Sequence, residues 1–150
     1  MRIEFQHTFK ATNQEVWDYL QNPDVLSKTL PGCRTFVNSG EDHFKVDMGL
    51  DVGPVKGMFA GTVDLLELSE PFRYRLVLKG SGKPGELEAD AHVYLNESDF
   101  GTDVLCDAEA NVTGIMASVG QRIMGGVARM LLSRFFKSVE AEIKKAATPT

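Results

Sequence analysis

Apart from a short stretch near its start, this chain places apolar side chains at every second position as far as about residue 113. Beyond that point they recur at the three- and four-residue spacing of a helix. Ile3, Phe5, His7 and Phe9 face one way and Glu4, Gln6, Thr8 and Lys10 the other, as in a half-buried antiparallel strand. The alternation returns in Phe44-Val46-Met48, Phe72-Tyr74-Leu76-Leu78, Leu87-Ala89-Ala91-Val93-Leu95 and Val104-Cys106-Ala108-Ala110-Val112. Ser39-Gly40-Glu41, Ser69-Glu70-Pro71, Gly80 to Gly85 and Asp99-Phe100-Gly101 supply turns between them. Five or six strands are expected between about residues 33 and 113. Such a pattern demands a sheet with one apolar face and one wet face.

What covers the apolar face is also written in the sequence. Thr12-Asn13-Gln14-Glu15 reads as a capping box opening a short helix through Val16, Trp17 and Leu20. Asn22-Pro23 opens a second helix, which Pro31-Gly32 stops. From Ala117 to Ala147 there is no proline and helix formers abound, which predicts a single helix of about 45 Å. Sheet and helix bury both apolar surfaces if the sheet wraps the helix. The expected fold is therefore α+β: a curved antiparallel sheet around a long C-terminal helix, with two short helices after the first strand. Residues 1–147 are expected to form one domain, and the last three to fray.

Composition narrows the function. The 150 residues carry net charge −5, which argues against nucleic acid as a partner. Neither a signal segment nor an apolar run of membrane-spanning length occurs, so a cytoplasmic protein without direct membrane insertion is expected. Cys33 and Cys106 are too few for a disulfide framework or a zinc cluster. His7, His43 and His92 have no metal-ligand spacing, so no metal or other cofactor is expected. Gly80-Ser-Gly82-Lys-Pro-Gly85 matches a dinucleotide-binding pattern, but it joins strand to strand and Pro84 blocks the required helix start. It is a hairpin loop. The inward faces offer almost no catalytic group: His7 and Tyr74 are the exceptions, and no nucleophile–base pair emerges.

Alanines at Ala89, Ala91, Ala108 and Ala110, with Gly57 and Gly61, fall on the apolar faces of three strands. Small residues there permit either close helix packing or a cavity for an apolar ligand. Magnitude bears on the second case: a dry void of about 400 Å³ would cost about 10 kcal/mol, as much as a typical domain's whole stability. Such a space must therefore be filled or closed. Along the terminal helix, Met116, Val119, Ile123, Val127 and Met130 form one stripe and Ala128, Leu131, Leu132, Phe135, Val139 and Ile143 another. Around Met130–Phe136 the two merge into an over-wide apolar band. That band is either gripped deeply by the sheet or docks a partner through Leu132 and Phe136.

Four segments carry a family likeness. Leu30-Pro31-Gly32-Cys33, Val52-Gly53-Pro54-Val55-Lys56-Gly57-Met58-Phe59-Ala60-Gly61, Gly114-Ile115-Met116-Ala117-Ser118-Val119-Gly120-Gln121-Arg122 and Arg134-Phe135-Phe136 resemble the signature of CoxG-like proteins, the G-subunit family of carbon monoxide dehydrogenase. That family is similar in fold to START-like, Bet v 1-like (SRPBCC) domains. The resemblance implies a helix-grip fold, a deep apolar cavity, and an accessory role beside molybdenum hydroxylases of the carbon monoxide dehydrogenase type. Membrane recruitment or quinone coupling is part of the implied role. Some relatives carry a C-terminal anchor. Here the chain ends at Thr150 without one, so a link to the inner membrane is expected only through a partner.

Residues and resemblance together lead to three readings. The first is a non-catalytic carrier of a quinone- or lipid-like hydrophobic molecule. Its cavity would be lined by Phe5, His7, Phe44, Val46, Met48, Phe59, Tyr74, Leu76, Ala89, Ala91, Ala108, Ala110, Val119, Ile123 and Val127. The second is an assembly factor docking through Leu132 and Phe136, with the molybdenum enzyme or a second copy of the chain as partner. The third is a cyclase- or hydrolase-like enzyme using His7 or Tyr74.

Overall fold

A computed structural model describes residues 1–147; the expected fraying of 148–150 lies outside the described residues. Strand β1 (Arg2–Phe9) leads to helices α1 (Asn13–Gln21) and α2 (Pro23–Thr29). Six strands follow: β2 (Cys33–Gly40), β3 (His43–Val52), β4 (Val55–Ser69), β5 (Arg73–Gly82), β6 (Gly85–Ser98) and β7 (Gly101–Val112). They join β1 in a seven-stranded antiparallel sheet of order β1-β7-β6-β5-β4-β3-β2. Only β1 leaves sequence order, because the two short helices carry the chain across to the opposite edge.

Local chemistry sets the boundaries. The Thr12 hydroxyl caps α1 by accepting the Glu15 N–H at 3.2 Å, and the Asn22 side chain caps α2 by accepting the Asp24 N–H at 2.9 Å. Pro23 occupies the first turn of α2, where no amide donor is needed. Between β5 and β6, Lys83-Pro84 forms a tight turn, as the hairpin reading of the glycine-rich segment requires. Gly85 there has φ 136°, and a Cβ would stand 2.1 Å from the Thr113 carbonyl oxygen, so only glycine fits.

One expectation is corrected. The helix predicted from Ala117 is two helices, α3 (Ile115–Ser118) and α4 (Gln121–Ala147). They are separated at Gly120, whose φ of 92° no helix can accommodate. Absence of proline signalled continuity, but a glycine in a left-handed conformation ends a helix equally well. The apolar stripe drawn across the break accordingly loses its phase. Ile123 and Met130 are 52% and 42% exposed, while Met124, Val127, Phe135, Phe136, Val139 and Ile143 are buried.

Two apolar clusters result. The larger unites α1, α2, the second half of α4 and most of the sheet's inner face, with Phe9, Leu20, Val104 and Val139 wholly buried. The smaller consists of Val52, Val55, Phe59, Met116, Met124 and Val127, which join the β3–β4 hairpin to α3 and the start of α4. Inside the larger cluster the Asn13 amide donates to the Leu95 carbonyl at 3.1 Å, and the Thr102 hydroxyl lies 2.8 Å from Asn13 Oδ1. These buried polar groups satisfy one another and lock α1 onto β6 and β7.

Candidate functional site

Where the two clusters meet, they enclose space. A partly enclosed cavity of about 250 Å³ is lined by residues of both, including Tyr74, Ala91, Cys106 and Phe136 from the larger and Val55, Phe59, Met116 and Met124 from the smaller. Its origin lies in the sheet register. On the inner face Val46, Gly61, Gly80, Leu87 and Val112 align across neighbouring strands. The next rows are Leu78, Ala89, Ala110 and then Leu76, Ala91, Ala108, Ile3. Paired glycines and two pairs of alanines thus lie together in the middle of the sheet. Gly61 is fixed by its backbone: an added Cβ would fall 1.8 Å from the Lys79 carbonyl oxygen.

The opposite wall is α4, whose close neighbours are β1, α1, α2 and α3 rather than the middle strands. The helix therefore leans on one edge of the sheet and stands off from the row of small residues. Met124, Val127, Ala128, Leu131, Leu132, Phe135 and Phe136 face the gap. Along β5 the lining runs from Tyr74 to Gly80, a span of about 20 Å at about 3.3 Å per residue, so the space is elongated. Left dry, 250 Å³ would cost about 6 kcal/mol at about 24 cal/mol per Å³. That is enough to favour filling it.

Polar chemistry inside is sparse. Lys79 and Glu88 border the cavity, but they are cross-strand partners at exposed, outward positions. Within it stand the Tyr74 phenol and the Cys106 thiol, both buried in the next row of the register with Val93 between them. Burial pushes the Cys106 thiol up to about 11 and pushes the Tyr74 phenol higher still, so both stay protonated and neutral at pH 7. Among the described residues no group of three or more His, Cys, Asp or Glu side chains could hold a metal ion.

Of the residues expected to line a pocket, Val46, Met48, Phe59, Tyr74, Leu76, Ala89, Ala91, Ala108, Ala110 and Val127 do line this cavity. Phe5, His7, Phe44, Val119 and Ile123 do not. The Phe5 ring stacks on Phe136, and His7 stacks on Phe136 and meets Phe9 edge-on, with Nε2 3.3 Å from Glu140 Oε1. Both are pinned under α4 because β1 is the edge on which that helix rests. Phe44 stacks on Phe36, with ring centroids 4.7 Å apart. Val119 lies in the break between α3 and α4, and Ile123 faces out.

The expected docking face is corrected as well. Leu132 and Phe136 turn inward and line the cavity, with Phe136 only 2% exposed. The over-wide band is consumed by the larger cluster on one side and the cavity on the other. Sequence reading missed Leu78, Leu87, Val93 and Cys106, although strand parity already put them on the inner face. It also missed Met116 and Met124, which the break at Gly120 brings to the cavity's end.

A curved antiparallel sheet closed by a long terminal helix, with an elongated apolar space between them, defines the helix-grip class of START-like proteins. Consistent with that class, the chain superposes on a START superfamily protein from Mycobacterium smegmatis with TM-score 0.75 at 10% identity, covering 97% of this chain and 98% of that one. A structure from Thermus thermophilus matches equally well, with TM-score 0.75 at 10% identity over 99% of this chain and 100% of the other. Likeness is greater to a conserved protein from Geobacillus kaustophilus, at TM-score 0.90 and 34% identity over 97% of this chain and 95% of that one. Residues 6–144 match the model of the CoxG family, the G-subunit of carbon monoxide dehydrogenase, and the chain belongs to that family. No curated protein matches it. Among the described residues no helix is long and apolar enough to cross a membrane.

Proposed function

We propose that this chain is a non-catalytic carrier whose cavity holds a quinone- or lipid-like molecule on behalf of a molybdenum hydroxylase of the carbon monoxide dehydrogenase type. The observation that carries the ligand half of the reading is the cavity's construction. Glycine and alanine pairs are aligned by register over about 13 Å, opposite a helix that leans away from them. Family membership supports the accessory role and the client. The cytoplasm is the proposed location, with contact to the inner membrane made through that client.

Carrier and enzyme differ in what they require of the cavity. A carrier needs an apolar wall and reversible closure, whereas a hydrolase or cyclase needs an acid or base beside the substrate. His7, the candidate base, sits outside the cavity against Glu140. The carrier reading is tested by native mass spectrometry of the gently purified protein and by titration with quinones and fatty acids. A copurifying apolar molecule, or saturable binding of one probe class, is expected. Absence of both would rule the carrier out.

A further inference from the structure

The cavity is not uniformly apolar, and the exception has an unfinished bond. Tyr74 lines the cavity, is 3% exposed, and packs edge-on against Trp17 with ring centroids 5.5 Å apart. Among the described residues its hydroxyl has no hydrogen-bond partner. Trp17 does not share this condition: its indole N–H donates to Glu70 at 2.8 Å. Among the described residues the wholly buried side-chain polar atoms without a partner belong to Gln21, so the Tyr74 oxygen is not sealed off and keeps accessible surface in a residue that lines the cavity. A free donor in an otherwise carbon wall is matched by an acceptor that arrives with the ligand. The hydroxyl's neighbour across the row is the Cys106 thiol, a weak donor and weak acceptor that cannot take its place.

We infer that Tyr74 is the polar pole of the cavity and donates a hydrogen bond to a neutral carbonyl oxygen on an otherwise apolar ligand. This rests on the carrier reading and deepens it. Acceptor charge follows from the surroundings. Among the described residues no cationic side chain points into the cavity, Lys79 being exposed and placed opposite Glu88, so an ionised carboxylate would lose its hydration without a counter-charge. A ketone or quinone carbonyl carries no such cost. The phenol stays protonated across the physiological range, so its donor role persists there. Fatty acids bound head-first at this pole are thereby disfavoured, and a ring or chain bearing a neutral carbonyl is selected.

The test uses three matched probes on the full chain, read by isothermal titration calorimetry at pH 7. They are 2,3-dimethyl-1,4-naphthoquinone, the hydrocarbon 2,3-dimethylnaphthalene and 2-naphthoate. Wild-type protein is expected to bind the quinone about five- to tenfold more tightly than the hydrocarbon, the worth of one well-made hydrogen bond. The carboxylate should bind more weakly than the quinone. Tyr74→Phe should bring the quinone down to the hydrocarbon's affinity and leave the hydrocarbon unchanged. Without ligand, Tyr74→Phe should melt at the same temperature as wild type or higher, since no internal bond is lost. Equal quinone affinity in both proteins, equal affinity of wild type for carboxylate and quinone, or a fall in ligand-free melting temperature would each overturn the assignment while leaving the carrier reading intact. Failure of wild type to bind the quinone would overturn the assignment, and that failure together with no copurifying apolar molecule and no fatty-acid binding would remove the carrier reading as well.

Discussion

The two apolar clusters are built from the same kinds of residue and differ in what surrounds them. In the larger, β1, β6 and β7 meet α1 and the second half of α4 with wholly buried Phe9, Leu20, Leu95 and Val104, and the buried Asn13 and Thr102 side chains satisfy each other in that corner. In the smaller, Val52, Val55, Phe59, Met116, Met124 and Val127 are contributed by a hairpin tip, a four-residue helix and the first turns of α4. Two of its six members are methionines, flexible side chains that adapt to irregular space. The larger cluster is a core. The smaller one is a closure over the cavity's end, held at both sides by positive-φ glycines, Gly114 at 68° and Gly120 at 92°. The contrast teaches that burial alone does not make a core: Met116 is as buried as Phe9, yet one face of its cluster is a cavity.

This difference can be broken by substitution. Phe9→Ala, in the middle of the larger cluster, should cost about 3–5 kcal/mol and lower the denaturation midpoint for the whole domain. A loss confined to β1 in hydrogen exchange would show that the larger cluster is not cooperative. Met116→Ala should cost less, about 2 kcal/mol, and its signature should be local. Amide exchange in α3 and the β3–β4 hairpin is expected to quicken while β6 and β7 stay protected. Global acceleration would merge the two clusters into one.

Smaller effects sharpen the boundary between them. Gly80→Ala should stabilise by about 0.5–1 kcal/mol, because a Cβ there meets Leu87 at an ordinary 3.5 Å and intrudes only on the cavity. It should also weaken binding of any cavity ligand, and stabilisation without weakened binding would place the ligand elsewhere. The smallest effect is expected on the wet face. Arg75 donates to Asp90 from Nε at 2.8 Å and holds that carboxyl below its usual range. A depressed carboxylate stabilises the fold above its unfolded pKa, near 3.9, and loses that contribution as pH falls through its lower folded value. Asp90→Asn should therefore change the melting temperature at pH 7 only slightly, since the pair is more than a third open to solvent, and flatten its decline below about pH 4. A large change at pH 7 would mean that the outer face contributes to the core after all.

How much was legible depends on the range of the interaction involved. Strand positions, the Thr12 and Asn22 caps, the Lys83-Pro84 turn and the inward parity of Tyr74 and Cys106 are governed by neighbours a few residues away, and sequence states them. The Gly120 break is local too, but φ is not written in a glycine: the same residue type at Gly125 and Gly126 continues the helix. Phe5, His7 and Phe44 have the right parity and still miss the cavity, because parity gives a face and not a place on it. Leu132 and Phe136 failed in the opposite sense, since an apolar band on a helix does not reveal whether sheet, cavity or solvent meets it.

By itself, then, the sequence determined an antiparallel sheet with one apolar face, two capped short helices, a helical C-terminus and the family to which they belong. Tertiary structure alone decided that Gly61 and Gly80 stand opposite each other, that alanine pairs fall in adjacent rows, and that α4 rests on β1 rather than over them. The reason is physical. Pattern along a chain fixes which face a side chain takes, because that depends on backbone geometry two to four residues away. A cavity is a mismatch between surfaces brought together from distant parts of the chain, and only strand register and the tilt of a helix create it.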